Sequence, residues 1–280
     1  MEFASYTALN MPTSSVSADM KPGRSPANRS LERGIELLRA FRPGTEVLGN
    51  SELAERTGLS RSTVTRLTQT LVGSGMLQQL PRTRTYRLAP AVLSLAHAMH
   101  SGCSELLVAA PIMRAVAEGK RINVGLAAPD RDEMVYLESV RYSRRVALRR
   151  VVSGQRVPME LTSLGRAHLA TVSEAQLNAL LATFKRKRPS QWRTLAEEIR
   201  ASIAHVAARG YCGAAWQPEV VAFAAPLRFS TMPLVLNVST STSEPLRHVE
   251  RELAPILLET VGKIDAELRR QTSLPPRASV

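Results

Sequence analysis

Cysteine is scarce in this chain of 280 residues, with only two, at positions 103 and 212. They stand far apart and neither belongs to a CxxC pair, which argues against a disulfide scaffold and favours a reducing compartment. No apolar run approaches the roughly 20 residues needed to cross a bilayer. Residues 1–29 contain no apolar segment of the secretory type. These absences predict a cytoplasmic protein without a membrane partner.

Aromatic and acidic residues are also few. Aromatic side chains make up 4% of the chain, so the cores must consist mostly of Leu, Val, Ala and Ile. Lys and Arg number 37 against 24 Asp and Glu, which gives a formal net charge of +13. An excess of this size favours a polyanionic partner, or an anionic membrane surface, over acidic proteins in general.

Catalytic motifs are missing as well. The sequence contains no GxSxG, no HExxH and no Walker loop, and no Ser/His/Asp set can be assigned. We therefore predict a protein that is not an enzyme and that holds no cofactor and no metal. The alternative is an enzyme with a non-catalytic module appended at its N-terminal end, and it would require a titratable cluster in the second half of the chain.

The first hundred residues contain the pattern of a helix-turn-helix. One helix is predicted to end at Gly58, which tolerates positive φ, and Ser60 is predicted to cap the next helix. At 3.6 residues per turn, Val64, Leu67 and Leu71 share one face of that second helix. Its other side presents hydroxyls and guanidiniums, which suit base edges and phosphates. We predict DNA contacts from Ser60, Arg61, Ser62, Thr63, Thr65, Arg66 and Gln69.

A basic hairpin follows the predicted recognition helix. Residues 76–80 and 85–88 are predicted strands, and no acidic residue occurs between positions 78 and 89. Such a hairpin suits a wing that lies on the phosphate backbone, through Arg82, Arg84 and Arg87. An isolated polar stripe would ordinarily be a solvated helix face. Helix, turn, helix and basic hairpin in this order favour DNA binding instead.

These segments resemble the IclR family of bacterial transcription regulators. The resemblance is dense in SLERGIELLRAF, SELAERTGLSRSTVTRLTQTLVGSGML and YRLAP, and weaker in MVYLESV, LTSLGRAHLA, RGY and AAPL. It implies an α+β fold class: an N-terminal winged helix-turn-helix, a linker helix and a C-terminal GAF-like sheet-and-helix effector domain. It also implies a regulator that acts as a homodimer or a homotetramer.

Hydrophobic period and composition divide the chain into five parts. We predict a disordered arm at 1–29, a winged helix-turn-helix domain at 30–89, a linker helix at 90–102, an effector-binding and oligomerisation domain at 103–270, and a flexible tail at 271–280.

Several local features allow a test of the fold. Ser30 is predicted to cap the first helix, and Asn50 or Ser51 the second. Pro111 should break or kink the helix that contains it. The first helix is expected to pack through Leu31, Ile35, Leu38 and Phe41, and the last helix through Leu246, Val249, Leu253, Ile256 and Leu257.

In the second domain we predict strands at 122–128, 134–140, 144–151, 210–216, 220–227 and 233–240, helices at 164–171, 173–181, 192–210 and 244–270, and a basic loop at 184–190.

The second domain contains a predicted effector site. Thr162 and Ser163 directly precede a helix, whose first N–H groups favour a carboxylate or another anion. Asn237 and Ser239 share one face of a strand and are candidates for polar contacts opposite. The predicted set is Met159, Leu161, Thr162, Ser163, Gly165, Asn237 and Ser239. The alternatives are that Thr162 only caps its helix and that Asn237 and Ser239 face solvent.

The leading hypothesis is a sequence-specific regulator of transcription that binds double-stranded DNA. A small organic effector, a carboxylate or an aromatic compound, would bias the spacing of the two recognition helices in a dimer. The alternative is a DNA- or RNA-binding protein that works without a ligand. That alternative predicts binding that is indifferent to base sequence and to metabolites.

Overall fold

A computed structural model describes residues 28–142 and 152–273 of the chain. The N-terminal part folds as a compact helical unit with a small antiparallel sheet in the order β1–β3–β2. Its helices are α1 (Arg29–Arg39), α2 (Asn50–Thr57) and α3 (Arg61–Gly73), and its strands are β1 (Leu48–Gly49), β2 (Leu77–Leu80) and β3 (Thr85–Leu88). The predicted hairpin is confirmed as β2 and β3. β1 was not predicted, because two residues are too few to carry a pattern.

The N-terminus of α1 differs from the prediction. Asn28 caps the helix, and its side chain accepts hydrogen bonds from the N–H groups of Ser30 and Leu31 at 3.1 and 3.2 Å. The prediction that Ser30 is the cap is therefore wrong. Asn is as good a cap as Ser, and here it satisfies two free N–H groups at once.

The start of α2 differs by a similar amount. Gly49 is the capping residue, and its N–H donates to the carboxylate of Glu52 at 2.8 Å. The predicted caps, Asn50 and Ser51, lie inside the helix instead. The predicted end is confirmed, because Gly58 adopts a φ of +68° that favours glycine.

The small core of this unit lies between α1, α3 and the hairpin. Leu38 and Phe41 pack there as predicted. Leu31 and Ile35 do not, since 62% and 45% of their surfaces remain exposed. The fully or nearly buried set is Leu37, Ala40, Phe41, Leu48, Leu53, Val64, Leu77 and Tyr86. Part of the apolar face of α1, at Leu31 and Ile35, is therefore left uncovered by the rest of the described chain.

Two consecutive helices connect this unit to the rest of the chain. They are α4 (Pro90–Ser101), the predicted linker, and α5 (Ser104–Lys120). Pro111 lies within α5 and does not break it. A proline removes the bond to the carbonyl four residues earlier, here that of Leu107. Leu107 and Pro111 are both exposed, so the missing bond falls on the solvent-facing side of α5.

A six-stranded antiparallel sheet forms the centre of the second part, in the order β6–β5–β4–β9–β8–β7. Its strands are β4 (Asn123–Asp130), β5 (Glu133–Val140), β6 (Arg156–Pro158), β7 (Cys212–Gln217), β8 (Val220–Pro226) and β9 (Val235–Ser241). β4 and β5 meet at the tight turn Arg131–Asp132. The short strand β6 was not predicted, and the predicted strand at 144–151 lies outside the described residues.

Helices cover both faces of this sheet. α5 and the last helix, α9 (Leu246–Ser273), pack on one face, and the other face is covered by α6 (Ser163–Leu169), α7 (Glu174–Lys187) and α8 (Trp192–Arg209). Side chains alternate between the faces, so Leu236 and Val238 join the core under α5 and α9, whereas Val235 joins the core under α6 and α8. Leu246, which we expected to be packed, is 37% exposed.

The predicted basic loop at 184–190 is wrong in its first half. Phe184 is fully buried and belongs to the core beneath α7, and the helix continues to Lys187. Cationic side chains in a last helical turn interact favourably with the helix dipole, so a run of Lys and Arg need not end a helix. A single 3₁₀ turn at Pro189–Gln191 separates α7 from α8. None of the helices in the described ranges has the length and apolar character to span a membrane.

Candidate nucleic-acid interface and effector face

Apolar side chains on one face of the recognition helix α3 pack into the core of the N-terminal unit. Val64 is fully buried, and Leu67 and Leu71 pack at the edge of the same core. Thr68, which we did not predict as a core residue, is also fully buried, and its hydroxyl donates to the carbonyl of Val64 at 2.9 Å. That internal bond satisfies the hydroxyl, so a polar residue is tolerated in the core. The burial of Thr68 could have been predicted from the sequence, because Thr68 lies four residues after Val64 and therefore on the same face of the helix.

The outer side of α3 carries the residues predicted to meet DNA. Ser60 caps the helix by accepting the N–H of Thr63 at 3.3 Å. The exposed members are Ser60, Arg61, Ser62, Arg66 and Gln69, and the half-buried ones are Thr63 and Thr65. No acidic residue lies in the first turn of α3, so the positive end of the helix dipole and the guanidiniums act on an anion together.

The wing is short and cationic. Arg82 and Arg84 are exposed in the turn between β2 and β3, and Arg84 adopts a left-handed φ of +54° that closes the hairpin. Arg87 is exposed on β3 and donates to the side chain of Gln78 on the neighbouring strand at 3.0 Å. The predicted wing residues are thus on one hairpin, but Arg87 is oriented by a cross-strand partner.

The predicted effector residues come together on one face of the large sheet. Asn237 and Ser239 are 4% and 7% exposed, so they do not face solvent, and they point toward the side covered by α6. Asn237 lies in a row across the sheet with Ala224 and Cys212. The thiol of Cys212 contacts the carbonyl of Ser163 at 3.5 Å, which places the start of α6 over this row.

The loop before α6 is buried and tightly packed. Thr162 caps α6, accepting the N–H of Gly165 at 3.2 Å and donating to the carbonyl of Pro158 at 2.9 Å. A Cβ at Gly165 would lie 2.0 Å from the carbonyl oxygen of Met159, so only glycine fits there. The hydroxyl of Thr162 is thus occupied within the loop. Met159 and Ser163 are buried and Leu161 is half-buried.

Tyr136 is a member of this face that sequence reasoning missed. It is 8% exposed, and its ring and the Oδ1 of Asn237 both lie over Gly125, within 2.5 Å of where a Cβ would be. Burial raises the pKa of the Tyr136 phenol to about 12, although the nearby charge of Arg141 and a hydrogen bond from Asn237 act in the opposite direction. The phenol therefore stays protonated at neutral pH. The period-two pattern of MVYLESV placed Tyr136 in a strand but did not give its face.

The Oδ1 of Asn237 is buried and has no hydrogen-bond partner among the described residues. An unpaired acceptor of this kind favours a donor from water or a ligand. Within the described part of the chain, no group of three or more His, Cys, Asp and Glu side chains has the arrangement of a metal site. The face offers a phenol, an amide and a nearby guanidinium, which are groups that recognise polar organic molecules.

Both halves of the chain match known domain models. Residues 30–88 match the IclR helix-turn-helix domain, and residues 105–266 match the bacterial transcriptional regulator IclR C-terminal domain. The chain belongs to the IclR family of bacterial transcriptional regulators. The fold class predicted from the resemblance is confirmed: an IclR helix-turn-helix domain, a linker helix and a sheet-and-helix effector domain in a mixed α and β chain.

Known IclR-family proteins are similar along most of the chain. An IclR-family regulator from Brucella abortus has a crystal structure that matches with a TM-score of 0.77 and 32% identity, over 90% of this chain and 96% of that one. The transcriptional regulator TsaQ1/TsaQ2 of Comamonas testosteroni is 29% identical over 90% of this chain and 91% of its own length. An IclR homologue from Microbacterium hydrocarbonoxydans, solved with 4-hydroxybenzoate, has the same fold, with a TM-score of 0.65, 23% identity and coverage of 86% and 99%.

Membership of the IclR family decides the general function. The protein is a regulator of transcription with a DNA-binding helix-turn-helix and an effector-binding domain. The curated relatives TsaQ1/TsaQ2 and the Pca regulon regulatory protein of Pseudomonas putida are both named as regulators.

Proposed function

We propose that this regulator binds a pseudopalindromic operator as a homodimer or a homotetramer in the cytoplasm, and that a small organic effector changes this binding. The single observation that supports DNA readout best is the division of α3, with Val64 fully buried and Arg66 exposed on the other side. The proposed contacts are to base edges and phosphates from Ser60, Arg61, Ser62, Thr63, Thr65, Arg66 and Gln69, and to the phosphate backbone from Arg82, Arg84 and Arg87.

Self-association is supported by the surface of the linker. α4 has no buried residue within the described structure, and Leu93, Leu95 and Met99 are 73%, 58% and 48% exposed. Leu95 and Met99 are four residues apart and therefore lie on the same side of α4, and exposed apolar side chains on one side of a helix favour packing against a second copy. A dimer would place two recognition helices about one DNA turn, roughly 34 Å, apart.

The proposed domains keep the boundaries expected from the sequence: 30–89 for DNA binding, 90–102 for the linker and 103–270 for the effector. The effector is proposed to be a carboxylate or an aromatic compound that binds on the face of Tyr136, Asn237 and Ser239, next to the loop of Met159, Leu161, Thr162, Ser163 and Gly165. The buried, unpaired Oδ1 of Asn237 supports a polar ligand there. The 4-hydroxybenzoate bound to the Microbacterium homologue supports the chemical class.

The DNA-binding part is tested by selecting genomic fragments with the purified protein and then measuring affinity for a selected fragment. Arg66→Ala should weaken specific binding by about 1–3 kcal/mol, roughly 5- to 150-fold. Arg200→Ala, which removes an equally exposed arginine from α8, should leave the affinity within twofold. Equal affinities for Arg66→Ala and the unmodified protein would contradict the assigned role of the helix.

The effector part is tested with 4-hydroxybenzoate and other aromatic carboxylates as probes. Binding measured by calorimetry should weaken in Asn237→Ala and Tyr136→Phe, because each variant removes a buried polar group from the proposed face. Lys263→Ala, on the exposed side of α9, should bind the probe as the unmodified protein does. Equal binding in all four proteins would place the ligand elsewhere.

A further inference from the structure

Charged side chains connect the DNA-binding unit directly to the sheet domain of the same chain. We name this set the interdomain clasp: Glu36, Arg39 and Arg42 on the DNA-binding side, and Asp130, Arg131, Glu133 and Arg156 on the sheet side. Glu36 and Arg39 belong to the last turns of α1, and Arg42 lies three residues after its end. Asp130, Arg131 and Glu133 form the turn between β4 and β5.

Two carboxylates of the clasp are shared between the domains. Asp130 accepts from Arg39 at 2.6 Å and from Arg156 at 2.5 Å. Glu133 accepts from Arg42 at 2.9 Å and from Arg156 at 2.7 Å. Arg156 has only 14% of its side chain exposed, so it fixes both carboxylates from the sheet side. Each carboxylate then faces the DNA-binding unit in a set position, and such networks are stronger than isolated surface pairs.

A third pair crosses the boundary at the tip of the turn. The guanidinium of Arg131 makes a bidentate contact with the carboxylate of Glu36, a geometry that adds specificity to the attraction. Arg131 adopts a left-handed φ of +62°, which is unfavourable for a residue with a side chain. The strained residue at the turn is thus one that contacts α1.

The clasp does not close the boundary completely. A cavity of about 350 Å³ lies between the units, and Arg56 and Thr57 at the end of α2 line it together with clasp residues. α2 directly precedes the recognition helix. A change in the clasp therefore acts close to the element that positions α3.

The turn is also hydrogen-bonded to the proposed effector loop. The N–H of Met159 donates to the carbonyl of Asp132 at 3.4 Å, and Glu133 lies opposite Pro158 in the β5–β6 ladder. The carbonyl of Pro158 accepts the hydroxyl of Thr162. The same strand, β5, carries Tyr136 three residues after Glu133. A ligand that moved this loop or this strand would move the turn with it.

We propose that the interdomain clasp couples the effector face to the recognition helix, by holding the DNA-binding unit against the sheet domain in one state and releasing it in another. The proposal rests on the proposed function, since it assigns a route of regulation to that function. In the clasped state α1 is fixed to the β4–β5 turn. In the released state the DNA-binding unit moves relative to the sheet domain and the spacing of two recognition helices changes.

The first test measures the distance between the domains without DNA. Spin labels attached after Glu55→Cys on α2 and Glu174→Cys on α7, both exposed sites, give that distance by pulsed electron resonance. Dilution with unlabelled chains restricts the signal to pairs within one chain. We expect one narrow distribution for the parent protein and a broad one for Glu36→Arg, which places a cation opposite Arg131.

A charge swap and a matched control complete this test. Glu36→Arg/Arg131→Glu restores opposite charges and should restore the narrow distribution. Glu32→Arg makes the same charge change on the exposed surface of α1, one turn earlier, and should have no effect. Raising NaCl to 1 M, where the Debye length is about 3 Å, should broaden the parent distribution. A distribution that Glu36→Arg leaves unchanged, or that the swap fails to restore, overturns the clasp.

The second test measures operator affinity in the same variants. Glu36→Arg should change the affinity at least fivefold, the lower end of ordinary allosteric coupling, and the swap should return it to within twofold of the parent. Glu32→Arg controls for the change of +2 in net charge that Glu36→Arg also makes. If Glu36→Arg gives a broad distance distribution but binds the operator with the affinity of the parent protein, the clasp has no regulatory role. Loss of operator binding in the parent protein would contradict the proposed function instead, and the distance measurement would still decide whether the clasp exists.

Discussion

The side-chain amide of Asn50 donates to the hydroxyl of Thr65 at 3.3 Å, joining the first residue of α2 to the exposed face of α3. The same hydroxyl donates to the carbonyl of Arg61 at 2.9 Å. Thr65 therefore has its proton and one lone pair engaged inside the protein. It presents its methyl group and one remaining lone pair to a partner, so its predicted role in DNA contact is narrower than that of a free hydroxyl.

Asn50→Ala should weaken operator binding roughly two- to tenfold, because one partly buried hydrogen bond between α2 and α3 contributes about 0.5–1.5 kcal/mol. Fluorescence anisotropy with a selected operator measures the effect. Glu55→Ala, at an exposed site on the same helix, serves as the control. If Asn50→Ala and Glu55→Ala bind alike, Asn50 does not position Thr65 for DNA.

The wing arginines should act through phosphate charge. Arg82→Ala/Arg84→Ala is expected to weaken binding to operator and to random DNA by similar factors. The slope of log K against log salt should become shallower by about 1.8, since each phosphate contact contributes about 0.9. Arg193→Ala/Arg200→Ala removes the same charge from the exposed side of α8 and should leave the slope unchanged. Selective loss of operator binding would point to base contacts by the wing.

Glu105 should make the stability of the sheet domain depend on pH in the acidic range. Its carboxylate is 4% exposed and accepts from the N–H and the hydroxyl of Thr231 and from the hydroxyl of Ser104. Burial alone would raise its pKa, but these hydrogen bonds lower the pKa from 4.5 to about 2. A lowered pKa in the folded state adds stability above pH 4.5, and that stability is lost as the pH falls toward 2.

Glu105→Gln should therefore lower the free energy of unfolding at pH 7 by about 2 kcal/mol, and the difference from the parent protein should shrink to near zero by about pH 2. Urea unfolding across this pH range measures it. Glu267→Gln, which removes one member of an exposed ion pair on α9, should change stability by less than about 1 kcal/mol. If the difference in unfolding free energy between Glu105→Gln and the parent protein were constant with pH, the charge of Glu105 would not be what stabilises the sheet domain.

Local signals predicted the DNA-binding unit well because they depend on few residues. A glycine at positive φ and a serine cap are recognisable within one turn, and both Gly58 and Ser60 act as predicted. The cap at Asn28 was missed because Ser30, two residues later, is an equally good cap by type. Leu31 and Ile35 were misassigned because the helical period shows which residues are apolar, but not how much of that stripe a single chain covers.

Long-range features of the site were beyond sequence reasoning. Asn237 and Ser239 were expected to share a face, since alternation along a strand requires it. That Tyr136 joins them depends on the register of β5 against β4, which no local pattern gives. The clasp is of the same kind, because Arg39 and Asp130 are 91 residues apart and each alone looks like an ordinary surface charge.

The loop that carries the predicted effector residues should be intolerant of even one methyl group. Gly165→Ala places a Cβ 2.0 Å from the carbonyl oxygen of Met159, so α6 or the loop must shift. We expect a loss of at least about 3 kcal/mol in unfolding free energy, measured by urea denaturation, because backbone cannot move aside as a side chain can.

The matched control for this substitution is Gly119→Ala, in the exposed last turns of α5. A Cβ there meets nothing within 4 Å, and replacing a helical glycine should stabilise the protein by about 0.5–1 kcal/mol. The two changes add the same methyl group and are expected to shift stability in opposite directions. If Gly165→Ala proved as harmless as Gly119→Ala, the loop would have room that the observed contact denies, and Thr162 would be free to leave its cap and meet a ligand.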